Sequence, residues 1–143
     1  MRKLLIAGLL VIGIVTFAGN YENELTERMK VSEEKAQTAW DSGVRADMVN
    51  ASLDLDTEWE KEMNKVYDLI IKKLSAKEKT KFKAEQNKWL KDREVKVQKA
   101  YEKYTEEEGP RMAGELAANE RLDITKNRTL ELAKKYDGLN KSK

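Results

Sequence analysis

The chain of 143 residues, 16.5 kDa, is long enough for one domain with a modest core. Charged residues make up 38% and hydrophobic residues 40%, with one proline and two phenylalanines, so a sheet sandwich is excluded and the predicted fold class is all-α. The absence of cysteine and histidine removes disulfides, the usual zinc, haem and thiol chemistries, and the commonest general base.

The opening "MRKLLIAGLLVIGIVTFAGN" places Arg2 and Lys3 before an apolar run from Leu4 to Phe17 and small residues at Ala18 and Gly19. This is the pattern of a secretory signal peptide over residues 1–19, with a cut after Ala18. The run is short for a membrane span of about 20 apolar residues; an uncleaved anchor is the alternative. Both readings put the domain outside the cytoplasm. Removal of Arg2 and Lys3 leaves 26 bases against 26 acids, but unevenly placed. Residues 20–74 carry 8 bases and 13 acids, a net of −5, and residues 75–143 carry 18 bases and 13 acids, a net of +5. The predicted molecule is electrically two-sided, which bears on how partners are steered to it.

Four helices are predicted as an antiparallel bundle after the signal segment. The first, in an N-terminal segment of residues 20–47, runs from Tyr21 to Val44, with Leu25, Met29, Ala36 and Trp40 on one stripe and Gly43 interrupting it. The second starts after "DLDT", capped by Asp56 or Thr57, and buries Trp59, Met63, Val66, Tyr67, Ile70 and Leu74. Ser75 and Glu78 have capping-box spacing, so a third helix begins at Ser75 and extends to Glu106. Its seam is Phe82, Gln86, Trp89, Arg93, Val97, Ala100, Tyr101 and Tyr104. "EEEGPR" ends it, because Gly109 is permissive and Pro110 suits the first turn of the next helix. The fourth helix, Arg111 to Tyr136, should close at Gly138 in a left-handed conformation, leaving residues 139–143 as a frayed tail.

The polar residues within that third seam raise a question of role. Trp89 at helical spacing among apolar residues reads as core, with Gln86 and Arg93 as satisfied polar contacts beside it; a groove or partner face is the competing reading. In a hairpin joined at Ser75, Trp89 meets the Trp59–Met63 level, Gln86 comes within reach of Asn64 or the Tyr67 hydroxyl, and Arg93 lies toward the open end. A buried guanidinium requires carboxylates, carbonyls or aromatic faces around it. Lys77, Lys79, Lys81 and Lys83 alternate and so spread around the helix axis, the pattern of a solvated face and not of a nucleic-acid site; weak binding to anionic envelope polymers would be salt-sensitive. Glu106 to Glu108 favour the fourth helix through its dipole and need no metal.

The order Asn64, Tyr67, Leu74, then Gln86-x-x-Trp89-Leu90-x-x-Arg93, then Thr125-x-x-Arg128-x-x-Glu131-Leu132, resembles the lysozyme inhibitor LprI-like family over Met48 to Tyr136. The domain so delimited is residues 48–138. The resemblance implies a small exported bacterial α-helical domain without catalytic residues, in which Asn64, Tyr67, Gln86, Trp89, Arg93, Thr125 and Arg128 are signature positions, read here as structural. Family members usually carry cysteines near what are here Val97 and Glu120; this chain has neither, and forgoes a crosslink that typically adds about 2–4 kcal/mol.

The expected function is therefore an exported, non-catalytic binding protein with a protein partner, in its most concrete form a lysozyme-type muramidase met by the acidic half. No cofactor, metal, nucleic-acid partner or stable membrane span after signal cleavage is expected. A structural or wall-polymer-binding envelope protein is the competing expectation. A glycosidase would need a placed acid pair, which the sequence does not show.

Overall fold

In the computed structural model, residues 20–141 are described; the expected signal segment, 1–19, and the last two residues lie outside them. Four helices follow one another: α1 Tyr21–Asp41, α2 Arg45–Lys73, α3 Ala76–Glu108 and α4 Pro110–Lys141. The connections are very short, so successive helices run antiparallel. At Ser42–Val44 the chain turns through Gly43 at φ +68°, and between α3 and α4 a single residue, Gly109, turns it at φ +83°. Both glycines occupy the region where a Cβ would be strained. Ser75 forms the expected capping box: its hydroxyl accepts from the Glu78 amide, and the Glu78 carboxylate accepts from the Ser75 amide at 2.8 Å.

Three expectations about the helix ends are corrected. The helix predicted to start after a cap at Asp56 or Thr57 starts at Arg45, so both residues sit mid-helix and cap nothing. The first helix stops at Asp41, short of Val44, where Ser42 takes the C-cap position. The fourth runs through Gly138 to Lys141 without a left-handed residue, so Leu139, Asn140 and Lys141 are helical and not a frayed tail. Gly138 costs a helix about 1 kcal/mol relative to alanine, but buried Asp137 before it and half-buried Leu139 after it, packed against the core, hold that turn in the fold.

The bundle is flattened. In an up-down-up-down bundle α2 and α4 are diagonal partners, yet here they run parallel in the most extensive interface of the molecule. Small side chains on α4 permit the approach: Ala113, Ala117, Ala118, Thr125, Thr129 and Ala133 are all buried. The Thr129 hydroxyl reaches the Trp59 carbonyl at 3.2 Å, a contact that requires main chains to lie close. Helix α1 packs across one side of the α2–α4 pair and α3 across the other. The predicted α2–α3 hairpin thus has its expected register, with Tyr67 stacked on Phe82 and Met63 beside Gln86, but α4 supplies the close main-chain partner for each. Leu25, Met29, Leu55, Trp59, Met63, Val66, Ile70, Phe82, Leu122 and Leu132 form the core. Among the described residues no helix is long and apolar enough to cross a membrane.

Candidate functional site

Two constructions stand out: a buried ladder of polar side chains between α2, α3 and α4, and an open groove between α1 and α2. Five of the seven signature residues meet in the ladder. Arg128, reaching from α4, donates through Nε and Nη2 to the Gln86 side-chain oxygen at 3.1 and 3.0 Å, and to Glu85 and Glu131 at 2.9 Å each. Arg93, on α3 and 4% exposed, donates to the Thr125 hydroxyl at 3.1 Å and pairs with Glu60 at 3.3 Å and Glu94 at 3.2 Å. Both guanidiniums lie against the Trp89 ring, at 5.3 and 5.7 Å from its centroid. Each buried cation is thus answered by carboxylates at the rim and by an aromatic face, the condition a buried guanidinium demands.

The remaining signature residues stand apart. Tyr67 stacks on Phe82 at 5.2 Å, and burial, aided by Asp68, pushes its hydroxyl up from its ordinary pKa. Asn64 is exposed, and the partner expected for Gln86 from Asn64 or Tyr67 is instead Arg128, with Met63 Sδ at 3.6 Å. The cause is α4, which enters between α2 and α3 and presents Arg128 to the amide. Trp89 packs at the edge of the core, half-buried, while Trp59 is fully enclosed.

The ladder extends through residues that local pattern does not reveal. Arg121 on α4 joins Asp56 of α2 at 2.9 Å to Glu94 of α3 at 2.8 Å, so Asp56 is a buried tertiary ion-pair partner. The hydrogen bond from Arg121 holds the Glu94 carboxyl below its ordinary value against the opposing effect of burial. At the other side of the bundle, the Asp137 carboxylate accepts from the backbone amides of Tyr21 and Glu22 at 2.7 and 3.2 Å, capping α1 from 115 and more positions away. Ser52 accepts from the Trp40 indole at 2.9 Å and contacts Asn119 at 2.6 Å, tying α1 to α2 and α4. No spacing rule marks these residues, because their partners are distant in the chain.

Helix α1 is further fixed by Arg28, which reaches Glu62 of α2 at 2.8 Å. Burial alone would push the Glu62 carboxyl up, but hydrogen bonds from Arg28 and Lys65 outweigh it and hold it below the ordinary range. The sign of the pH effect follows. The folded state binds fewer protons than the unfolded state in acid, so this stabilisation is complete above the ordinary carboxylate pKa of about 4.3 and is lost as pH falls through the lowered folded value. Urea midpoints measured from about pH 6 down to about pH 3 should therefore drop less steeply for Glu62→Gln than for the wild type. Equal slopes would mean that Glu62 does not contribute to acid sensitivity.

The groove lies on the outside of the α1–α2 pair and encloses about 590 Å³. Ala36, Ala39, Ala51 and Leu55 supply its apolar lining, and Asp47, Asp54 and Glu58 line it with negative charge from α2. Glu58 pairs with Lys61, whereas Asp47 and Asp54 make no ion pair among the described residues. Lys35 and Lys61 are the bases that line it. Small side chains at Ala36, Ala39 and Ala51 leave the space open. Among the described residues there is no group of acidic side chains fit to hold a metal ion.

A family model described as Lysozyme inhibitor LprI matches residues 37–132, from the last part of α1 to the middle of α4. Neither the curated proteins nor the solved structures compared with the chain match it. Since the matched span holds more than half of the chain and every member of the ladder between α2, α3 and α4, this protein belongs to the Lysozyme inhibitor LprI family.

Proposed function

We propose that this protein is an exported, non-catalytic binding protein that inhibits a lysozyme-type muramidase by seating a basic segment of the enzyme in the α1–α2 groove. The signature residues serve this role at a distance. Their ladder fixes α2 against α3 and α4, and α2 carries the acidic wall of the groove. The observation that carries the reading is the pair of carboxylates at Asp47 and Asp54, exposed, without ion-pair partners among the described residues, above an apolar lining. A cationic side chain entering there would meet charge at the rim and bury its aliphatic stem on alanine and leucine. Inhibition by occlusion needs a complementary surface and no reacting group.

The test is peptidoglycan hydrolysis by a cationic lysozyme at low salt, with the wild-type protein and with Asp47→Lys/Asp54→Lys. Micromolar wild-type protein should slow hydrolysis, and the double variant should inhibit at least about tenfold more weakly, since two charge reversals at a salt-sensitive contact cost about 1.4 kcal/mol or more. Both substitutions lie on the surface; Asp54→Lys alone should leave the melting temperature unchanged, and Asp47→Lys, in the first turn of α2, should lower stability by about 1 kcal/mol, too little to unfold the domain. No inhibition by the wild type would overturn the function; undiminished inhibition by the double variant would overturn the groove as its site.

A further inference from the structure

Helix α3 holds more cations without a carboxylate partner than any other helix among the described residues. On the other three helices, Arg28, Lys30, Arg45, Lys61, Lys65, Arg121, Lys126, Arg128 and Lys134 each lie in an ion pair, and the cations without one among the described residues, Lys35, Lys72, Lys73, Arg111, Lys135 and Lys141, are divided among the three. On α3 alone, Lys88 pairs with Asp92 and Lys103 with Glu107, but Lys77, Lys79, Lys81, Lys83, Lys91, Lys96 and Lys99 have no carboxylate partner among the described residues. The expectation that the lysines of this helix spread around its axis holds for the alternating run alone. Over the whole helix, Lys77, Lys81, Lys88, Lys91 and Lys99 fall at successive helical spacings on one side. That side is opposite Phe82, Gln86 and Arg93, the residues α3 buries. From Lys77 to Lys99 the stripe spans about 33 Å at 1.5 Å per residue.

We infer that this outward stripe of α3 binds a flexible, linear polymer of phosphodiester charge laid along the helix, in the manner of a poly(glycerol phosphate) chain. Three features favour that occupant. The stripe is straight and one-dimensional, which suits an extended chain of repeating charges. Its cations are lysines, point charges on flexible stems that follow charge spacing without demanding the planar bidentate geometry arginine would select. Its apolar content is Val95, 53% exposed, with Ala84, so it lacks the aromatic and leucine face with which an amphipathic helix enters a bilayer. The attraction is local, because the whole chain carries a formal charge of only +2. The stripe lies across the α2–α4 pair from α1, so this site and the groove can be filled at once, and the inference does not depend on muramidase inhibition.

The experiment measures binding of long-chain inorganic polyphosphate to the full chain over a series of salt concentrations. It compares the wild type, a variant with Lys77, Lys81, Lys91 and Lys99 changed to Gln, and a control with Lys30, Lys61, Lys65 and Lys134 changed to Gln. The α3 variant should bind at least about tenfold more weakly, with a salt slope reduced by roughly the number of lysines removed, while the control retains most of the affinity. Circular dichroism should show all three equally folded, since every substituted side chain is exposed. Failure of the wild type to bind, or equal losses in the two variants, would overturn the inference. Tighter binding to vesicles of anionic phospholipid than to polyphosphate would overturn it in favour of a membrane surface, and tighter binding to duplex DNA in favour of a nucleic-acid site.

Discussion

Arg128→Ala is expected to lower the free energy of unfolding by about 3 kcal/mol, read from urea denaturation of the variant against the wild type. Removal of one member of a buried charged pair typically costs about 3–5 kcal/mol. The lower end applies here because Glu85 and Glu131 stand at the rim and regain water when the guanidinium is gone. Gln86 does not regain it. Its side-chain oxygen, buried at the α3–α4 contact, loses both of its donors, a deficit of about 1–3 kcal/mol on its own. Gln86→Ala should cost about 1–2 kcal/mol, and the double variant should fall short of the sum by about 1 kcal/mol, because each single change already breaks the same contact. As a contrast, Lys30→Ala removes an exposed pair with Glu27 and should cost less than about 0.5 kcal/mol. An Arg128→Ala variant as stable as the Lys30→Ala variant would mean that the ladder does not hold α3 to α4.

What local chemistry encodes, the sequence shows directly. Ser75 and Glu78 mark a helix start because each is the other's partner three residues away, and Gly109-Pro110 marks a break because one residue supplies freedom and the other lacks an amide. The same reasoning fails where a partner is remote. Asp56 precedes an amphipathic run and so has the look of a cap, but its carboxylate answers Arg121 across the α2–α4 contact. Asp137 sits beside Gly138 at what reads as a helix end, yet it caps α1.

The error at Asp56 also hid the candidate site. With α2 begun beyond Asp56 and not at Arg45, Asp47 and Asp54 fall in a connection, and their shared wall facing α1 cannot be drawn. The net charge of −5 in the first half was legible; its concentration above an apolar groove depends on the true start of α2. Likewise the small residues of α4 carry little periodic signal, since a helix buried on three sides has no single apolar stripe. Its place at the centre of the bundle is therefore visible only once its neighbours are in position.

Trp59→Ala should cost about 4 kcal/mol and Trp89→Ala about 1–2 kcal/mol, an order opposite to the prominence of the two tryptophans in the sequence pattern. Trp59 is 1% exposed within the core cluster, and its truncation leaves a hole that closely packed neighbours on α2 and α4 cannot fill; such losses run to about 3–5 kcal/mol. Among the described residues its indole N–H has no hydrogen-bond partner, so the loss is mainly one of packing, with the Lys126 ammonium 5.3 Å from the ring centroid adding a smaller part. Trp89 is half-buried, and its removal forfeits the aromatic cover of Arg93 and Arg128, worth about 0.5–1 kcal/mol for each cation, together with part of its apolar contact. Against a total stability of about 5–15 kcal/mol for a domain of this kind, the first change brings the fold close to its limit and the second does not. Thermal and urea denaturation followed by circular dichroism decide the order. Equal losses, or a larger loss at Trp89, would place the mechanical centre of the bundle at the α3 ladder and not at the α2–α4 contact.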